Sequence, residues 1–236
     1  MKEKEEAKPE SSESDDINFN KLIDNYLVRE YKPKEIGRYY PSEIGSCLRK
    51  VWYSYKNPKE AESDLIKIFE AGNILHDFVV EVIRSEKNPD VDLLKWEFSV
   101  KMQMPDFVIS GRVDDLMLVK MSNKQVLVEV KSTKSIKYTE EPRGAHIMQL
   151  MFYMHATGIH NGLLLYIEKN TLQTKWFDIK YNEGEAKKIE ERFTKLHERL
   201  TKNKLPAAEA KISGESWMCR FCDYADECEK AGLKEQ

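Results

Sequence analysis

Residues 125–131, Gln125-Val126-Leu127-Val128-Glu129-Val130-Lys131, decide how this chain is read. A valine-rich run with alternating polar positions describes a β-strand with two unlike faces. Leu127, Glu129 and Lys131 share one face; Val126, Val128 and Val130 pack the other way. A glutamate and a lysine side by side at a strand end make an ordinary ion pair in most proteins, so their neighbours decide their use. Upstream, 115–120 is a second β-type run, and the polar Ser122-Asn123 reads as a two-residue hairpin loop. That loop sets Asp114 opposite Lys131, diagonal to Glu129 and on its face, with Asp115 on the reverse. A three-residue loop would exchange the two aspartates. Two carboxylates and an ammonium converging in this way suit a hard divalent cation, magnesium or manganese. Such a cation lowers the pKa of a bound water and offsets the charge of a phosphorane-like transition state. Lys131 then orients the water or stabilises the developing charge, which is chemistry for phosphodiester hydrolysis.

Working outward, residues 64–86 carry apolar positions at helical spacing, with a disturbance expected at Gly72. His76 falls on a partly inward face of that helix, where its imidazole can join the same cation. Pro142 opens a second helix that Gly158 ends. Gln149 and Tyr153, four apart, share one of its faces and can bond a phosphate or water near the metal. Strands are predicted at 95–101 and 107–113, with a hairpin at 162–168 and 172–180. An amphipathic helix follows over 183–203, with Ile189, Phe193, Leu196 and Leu200 in one stripe. Pro41-Ser42 opens a further helix, capped by Ser42. His146, His155, His160 and His197 show no pattern beyond that of ordinary residues. The order of elements predicts an α/β fold with a helical lobe.

Four cysteines in 236 residues are too few for a disulfide scaffold, and the start of the chain lacks an apolar signal region. A reducing, cytoplasmic location is expected, with metal binding or catalysis as the use of the thiols. Cys219, Cys222 and Cys228 form a C-x2-C-x5-C cluster, and Cys47 is the fourth, 172 residues before Cys219. A tetrahedral thiolate site needs four sulfurs, so the distant cysteine staples the two ends of the chain together. An iron–sulfur cluster is preferred to zinc because only one C-x2-C pair is present.

The net charge of −3 argues against nucleic acid, but its distribution reverses that. Residues 1–16 carry seven acidic residues against three lysines and read as a disordered tail. Segment 31–59 carries a net +5, with Tyr31, Tyr39, Tyr40, Trp52, Tyr53 and Tyr55 interleaved. Arg49, Lys50 and their neighbours would guide a nucleic-acid strand by phosphate contacts and stacking. No run of eighteen apolar residues is present, so no membrane span is expected.

Gly111-Arg112-Val113-Asp114, then Glu129-Val130-Lys131, then Gln149 and Tyr153, with His76 upstream, resembles the RecB-like branch of the PD-(D/E)xK nucleases. With Cys47 in Pro41-Ser42-Glu43-Ile44-Gly45-Ser46-Cys47-Leu48-Arg49-Lys50 and the three late cysteines, the pattern is similar to the iron–sulfur nucleases of the AddB and CRISPR-associated four type. The short chain, without a helicase part, favours the latter. The likeness spans about 41–228; each motif alone is weak, and all of them in this order are specific.

The resemblance implies a restriction-endonuclease-like mixed central sheet flanked by helices. It implies one nuclease domain over 17–236, with its core at about 64–203. Asp114, Glu129, His76 and the Val130 carbonyl would bind manganese or magnesium, and Lys131 would be the catalytic lysine. Gln149 and Tyr153 would line the site. Cys47, Cys219, Cys222 and Cys228 would hold a four-iron cluster, or a two-iron one as in some members. The implied activity is a single-strand DNA exonuclease, in some members trimming new spacers with the CRISPR integrase and its small partner protein. The rival readings are a nuclease-fold DNA-binding subunit within an integration complex and a repair nuclease unrelated to CRISPR. The doubled Asp114-Asp115 and the acidic tail depart from the family pattern.

Overall fold

The computed structural model describes residues 17–28, 30 and 32–236. The acidic segment 1–16, read as a tail, and Tyr31 lie outside the described residues. Three long strands form an antiparallel meander: β2 (Val91–Gln103), β3 (Val108–Val119) and β4 (Lys124–Thr133). The runs predicted at 107–113 and 115–120 are one strand. Pairing with β2 carries straight through the motif, from Val100↔Gly111 to Trp96↔Asp115. The short β1 (Arg38–Tyr39) adds in parallel to the start of β3.

The β3–β4 connection corrects the expected hairpin. Residues Lys120–Ser122 make a 3-10 turn, and Asn123 closes it in left-handed backbone at φ 50, a conformation asparagine tolerates. Four residues therefore link the strands instead of two, and Asp115 pairs with Val128. This moves the register by two positions. An even shift preserves the faces, so Asp114 remains on the side of Glu129 and comes level with it.

A crossover through α5 (Gly144–Thr157) leads to β5 (Asn161–Glu168), parallel to β4, and β6 (Thr174–Lys180) returns antiparallel on the far edge. The result is a six-stranded mixed sheet in the order β1-β3-β4-β5-β6, with β2 paired to β3 off that path. The α5 helix begins two residues after Pro142 and ends at Gly158, whose φ of +71 suits glycine. Residues Gln149 to Met154 are buried without interruption, since this helix lies between the sheet and other helices. Gly162 admits it to β5, where a Cβ would come within 2.9 Å of Leu150 and Met154 side-chain atoms.

The helical layers follow from apolar stripes. In α6 (Glu183–Thr201), Ile189, Phe193, Leu196 and Leu200 are all buried, and the Asn182 side chain caps the start by accepting the Glu185 N–H at 3.1 Å. Each such side chain contributes about 1.5–3 kcal/mol through burial. The α4 helix (Ser63–Arg84) runs unbroken through Gly72. At the N-terminal end, α2 (Pro41–Ile44) has Pro41 in its first turn and Tyr40, not Ser42, at the cap, with no side-chain bond there. Proline supplies the helical φ without an N–H to satisfy, so the helix needs no serine cap. The helices α1 (Phe19–Leu27), α3 (Leu48–Lys56), α7 (Glu209–Ile212) and α8 (Ala225–Lys230) complete the described fold. Among the described residues no helix is long and apolar enough to cross a membrane.

Candidate active site

The site lies where the β3–β4 ladder ends. Beyond Asp115↔Val128 the Asp114 side chain replaces a backbone acceptor: its Oδ2 accepts the Val130 N–H at 2.8 Å. Two residues along β4, Lys131 Nζ donates to Glu129 Oε1 at 2.6 Å and to Gln149 Oε1 at 3.1 Å. The Gln149 amide in turn donates to the Tyr153 hydroxyl at 3.4 Å. Helical spacing brings these two α5 side chains down together. Gly111 makes room for the second, because a Cβ there would lie 2.8 Å from the Tyr153 hydroxyl. Asp114, Glu129, Val130, Lys131, Gln149 and Tyr153 are thus brought together as the sequence predicts.

His76 is placed differently. Its Nε2 lies 3.3 Å from Asp115 Oδ2, the aspartate that alternation assigns to the reverse face of β3. Asp115 is fully buried and His76 is 8% exposed. Across from this pair, Glu97 adopts left-handed backbone at φ 44, between the partners of Val113 and Asp115. Strained backbone of this kind persists where surrounding structure enforces it.

Electrostatics set this region apart. Burial, reinforced by repulsion from Asp114, pushes Glu129 up to about 8, although Lys131 opposes the shift. Burial also raises Asp114, against the pull of Lys131 and the Val130 amide. Burial disfavours the Lys131 ammonium, but Glu129 and Asp114 outweigh it and raise its pKa. Burial likewise acts against the His76 imidazolium, and Asp115, Asp114 and Glu97 together override it. Among the described residues, the buried side-chain polar atoms lacking a hydrogen-bond partner are His76 Nε2, both Asp115 oxygens and Glu129 Oε2. Buried polar atoms are normally satisfied, so anionic oxygens left in this state fit a bound cation. As they stand, no three His, Cys, Asp or Glu side chains among the described residues converge to hold a metal.

The family model described as the PD-(D/E)XK nuclease superfamily matches residues 21–229. The chain belongs to that superfamily. No curated protein matches the sequence. Among solved structures, SSO0001 superposes with a TM-score of 0.55 at 22% identity, covering 87% of this chain and 91% of that one. The alkaline exonuclease LHK-Exo from Laribacter hongkongensis gives 0.45 at 12%, covering 78% and 95%. A phage related exonuclease from Haemophilus somnus gives 0.48 at 16%, covering 66% and 81%. The mixed sheet with flanking helices is that of a PD-(D/E)XK nuclease.

The cysteines of this PD-(D/E)XK nuclease meet elsewhere. Cys47, at the start of α3, and Cys219, Cys222 and Cys228 line one cavity of about 760 Å³. All four are free thiols and half-buried. Burial raises the Cys222 thiol, and Cys47 adds to the shift, which places the two close enough to feel each other's charge. The four thiols thus line one cavity without converging on a single point.

Arg49 is corrected from strand guide to internal clamp. Its side chain is 1% exposed, and its guanidinium donates to the carbonyls of Pro206 at 2.6 Å, Lys234 at 2.8 Å and Gly232, with longer contacts to Leu233 and Cys228. No donor remains for a phosphate. Lys50 lines the cysteine cavity, 3.9 Å from Asp223 Oδ2. The aromatic run likewise packs inward: Tyr39 and Tyr55 are core, and Tyr53 stacks on Tyr224 at 5.4 Å.

One neighbour of the site escaped the sequence reading. His146 is hydrogen-bonded to Tyr166 at 2.8 Å and is driven down to about 3 by burial, then by Lys131 and Arg143. A neutral imidazole therefore stands beside the site. Asp115, weighed in the sequence as the alternative to Asp114, lies on the reverse face beside His76.

Proposed function

We propose that this PD-(D/E)XK nuclease is a divalent-metal-dependent DNA exonuclease acting on single strands, with an iron–sulfur cluster as a structural staple. The observation that carries the reading is the meeting of Asp114, Glu129 and Lys131 in a buried, partly unsatisfied cluster. Asp114, Glu129, the Val130 carbonyl and His76 would hold manganese or magnesium. When bound, that cation supplies positive charge against the scissile phosphate and makes water acidic enough to attack at neutral pH. The protein's own part is positional. Lys131, fixed by Glu129 and Gln149, presents N–H groups where charge develops on the reacting phosphate. Gln149 and Tyr153 brace that lysine and fill the floor of the site.

Cys47, Cys219, Cys222 and Cys228 would hold the cluster, a four-iron one in preference to a two-iron one, joining both ends of a single nuclease domain. Trimming of new spacers beside the CRISPR integrase and its small partner protein is the role the motif order supports. The test is digestion of an end-labelled single strand with magnesium and manganese compared. Stepwise shortening of the strand is the expected outcome; tight binding without cutting would favour the DNA-binding subunit instead. Anaerobic purification is expected to give a brown protein, and a colourless zinc-loaded one would refute the cluster.

A further inference from the structure

The α1 helix is amphipathic, and its apolar side faces solvent. Phe19, Leu22, Ile23 and Tyr26 recur at helical spacing and make one stripe. All four are exposed, from 47% at Ile23 to 83% at Tyr26, and Leu27 is the buried residue of the helix. Polar contacts hold α1 in place instead. Asp24, on the other side from the stripe, pairs with Lys67 of α4 at 2.7 Å and accepts from the Ser63 hydroxyl. Ile74, Phe78 and Val82 follow seven, eleven and fifteen residues after Lys67, so they extend the same side of α4, and they too are exposed. A whole aromatic side chain spans about 150–250 Å², so these seven residues together present roughly 700 Å². The largest apolar patch of a typical monomer is about 300–600 Å².

We propose that this face is an isologous dimer interface, and that its occupant is a second copy of this chain. The stripe is its own complement. A two-fold axis between Leu22 and Ile23 runs a second α1 antiparallel to the first, with Ile23 against Leu22 and Tyr26 against Phe19. Aromatic thus meets aromatic and aliphatic meets aliphatic, each pair twice. Lys21 and Asp24 lie on the other side of the helix, so no like charges meet across the axis. The exposed area is close to the about 800 Å² that each partner of a stable complex buries. Other occupants fit less well. Residues 1–16 offer Met1 and Ala7 as their only hydrophobic side chains. The stripe carries no charge, and the exposed Asp77 and Glu81 flank the ridge of α4, which repels a phosphate backbone or an anionic lipid surface. The interface stands apart from the nuclease site, whose residues take no part in it.

The experiment is sedimentation velocity of the 236-residue chain over a concentration series, with light scattering for mass. The parent is expected to run as a closed dimer, twice 27.7 kDa. Phe19→Lys and Tyr26→Glu, both at exposed positions, should each weaken the dimer by about tenfold or more. Their circular dichroism and melting of the diluted monomer should match the parent. Because Phe19 meets Tyr26 across the axis, the double variant Phe19→Lys with Tyr26→Glu should regain the dimer, which no loss of folding would do. Met121→Glu, at an exposed position on the β3–β4 turn, should leave it unchanged. A parent that is monomeric throughout the series overturns the proposal. So does an open-ended series of larger species, or a dimer that neither single variant weakens. Two weakened single variants without recovery in the double variant would overturn the two-fold pairing.

Discussion

The carboxylate–lysine site and the cysteine cavity are built in opposite ways. The first stands on rigid strands: Glu129 and Lys131 are two residues apart on β4, and Asp114 is fixed by a β4 amide at 2.8 Å. The second is assembled from short pieces at the chain ends: α3, a 3-10 turn over Ser216–Phe221 and α8. Strand geometry positions the carboxylates of the first, Gln149 of α5 braces its lysine, and Glu129 Oε2 is left unsatisfied. The cavity wall needs outside support, which Arg49 provides through the carbonyls of the C-terminal segment. Arg192 adds to this by pairing with Glu209, whose other contact is the Leu48 amide beside Cys47. On the function proposed above, the first region carries the chemistry and the second the staple, so each can be broken without the other.

The largest expected effect is on the chemistry. Lys131→Ala should lower strand cutting about a hundred- to a thousandfold, in the range for loss of one donor aimed at developing charge. Its urea unfolding curve should stay close to that of the parent. Next comes the clamp. Arg49→Met leaves several buried carbonyls without donors and should cost about 3 kcal/mol or more in urea unfolding, while cutting by the folded fraction persists. An unchanged midpoint would mean that the cysteines alone hold the ends. Cys47→Ser should also weaken the fold more than the chemistry, so the double variant tests whether the two ties are coupled.

Gly45→Ala probes the seam between the regions. A Cβ there would stand 2.3 Å from the Ala145 Cα, where α2 meets α5. Destabilisation of about 1–3 kcal/mol is expected, read from thermal melting. The smallest effect is electrostatic. His146 has a folded pKa of about 3 against an ordinary 6.5, so the unfolded chain takes up this proton first as pH falls. The stability its neutral ring carries is complete above pH 6.5 and is lost on acidification towards 3. The loss is at most about 1.4 kcal/mol per pH unit. His146→Gln should flatten stability against pH between 6.5 and 4, and an identical slope would remove His146 from the account.

Much of the site was legible because strand alternation is strict. Leu127, Glu129 and Lys131 sharing a face needs only period two, and Gln149 with Tyr153 needs only the helical turn. The register was misplaced by two because a 3-10 turn closed by a left-handed Asn123 looks, in sequence, like a shorter polar loop. The error did no harm, since an even slip keeps every side chain on its face. The partner of His76 was not legible, because it depends on how α4 lies across the end of β3. Arg49 misled for a plainer reason. A charged residue in a basic segment reads as surface, and its partners are backbone carbonyls of residues 206–234, which carry no mark in the sequence. The family match over 21–229 supports the nuclease core and is silent on the staple.

On the proposed function, Asp114 and Glu129 would hold the cation and Lys131 would serve the cutting of DNA. Manganese-dependent digestion of an end-labelled single strand by the parent and by Glu129→Gln tests it most directly. The parent is expected to shorten the strand, a chelator to stop it, and Glu129→Gln to fold yet leave the strand whole. Glu129→Gln cutting as fast as the parent would contradict it.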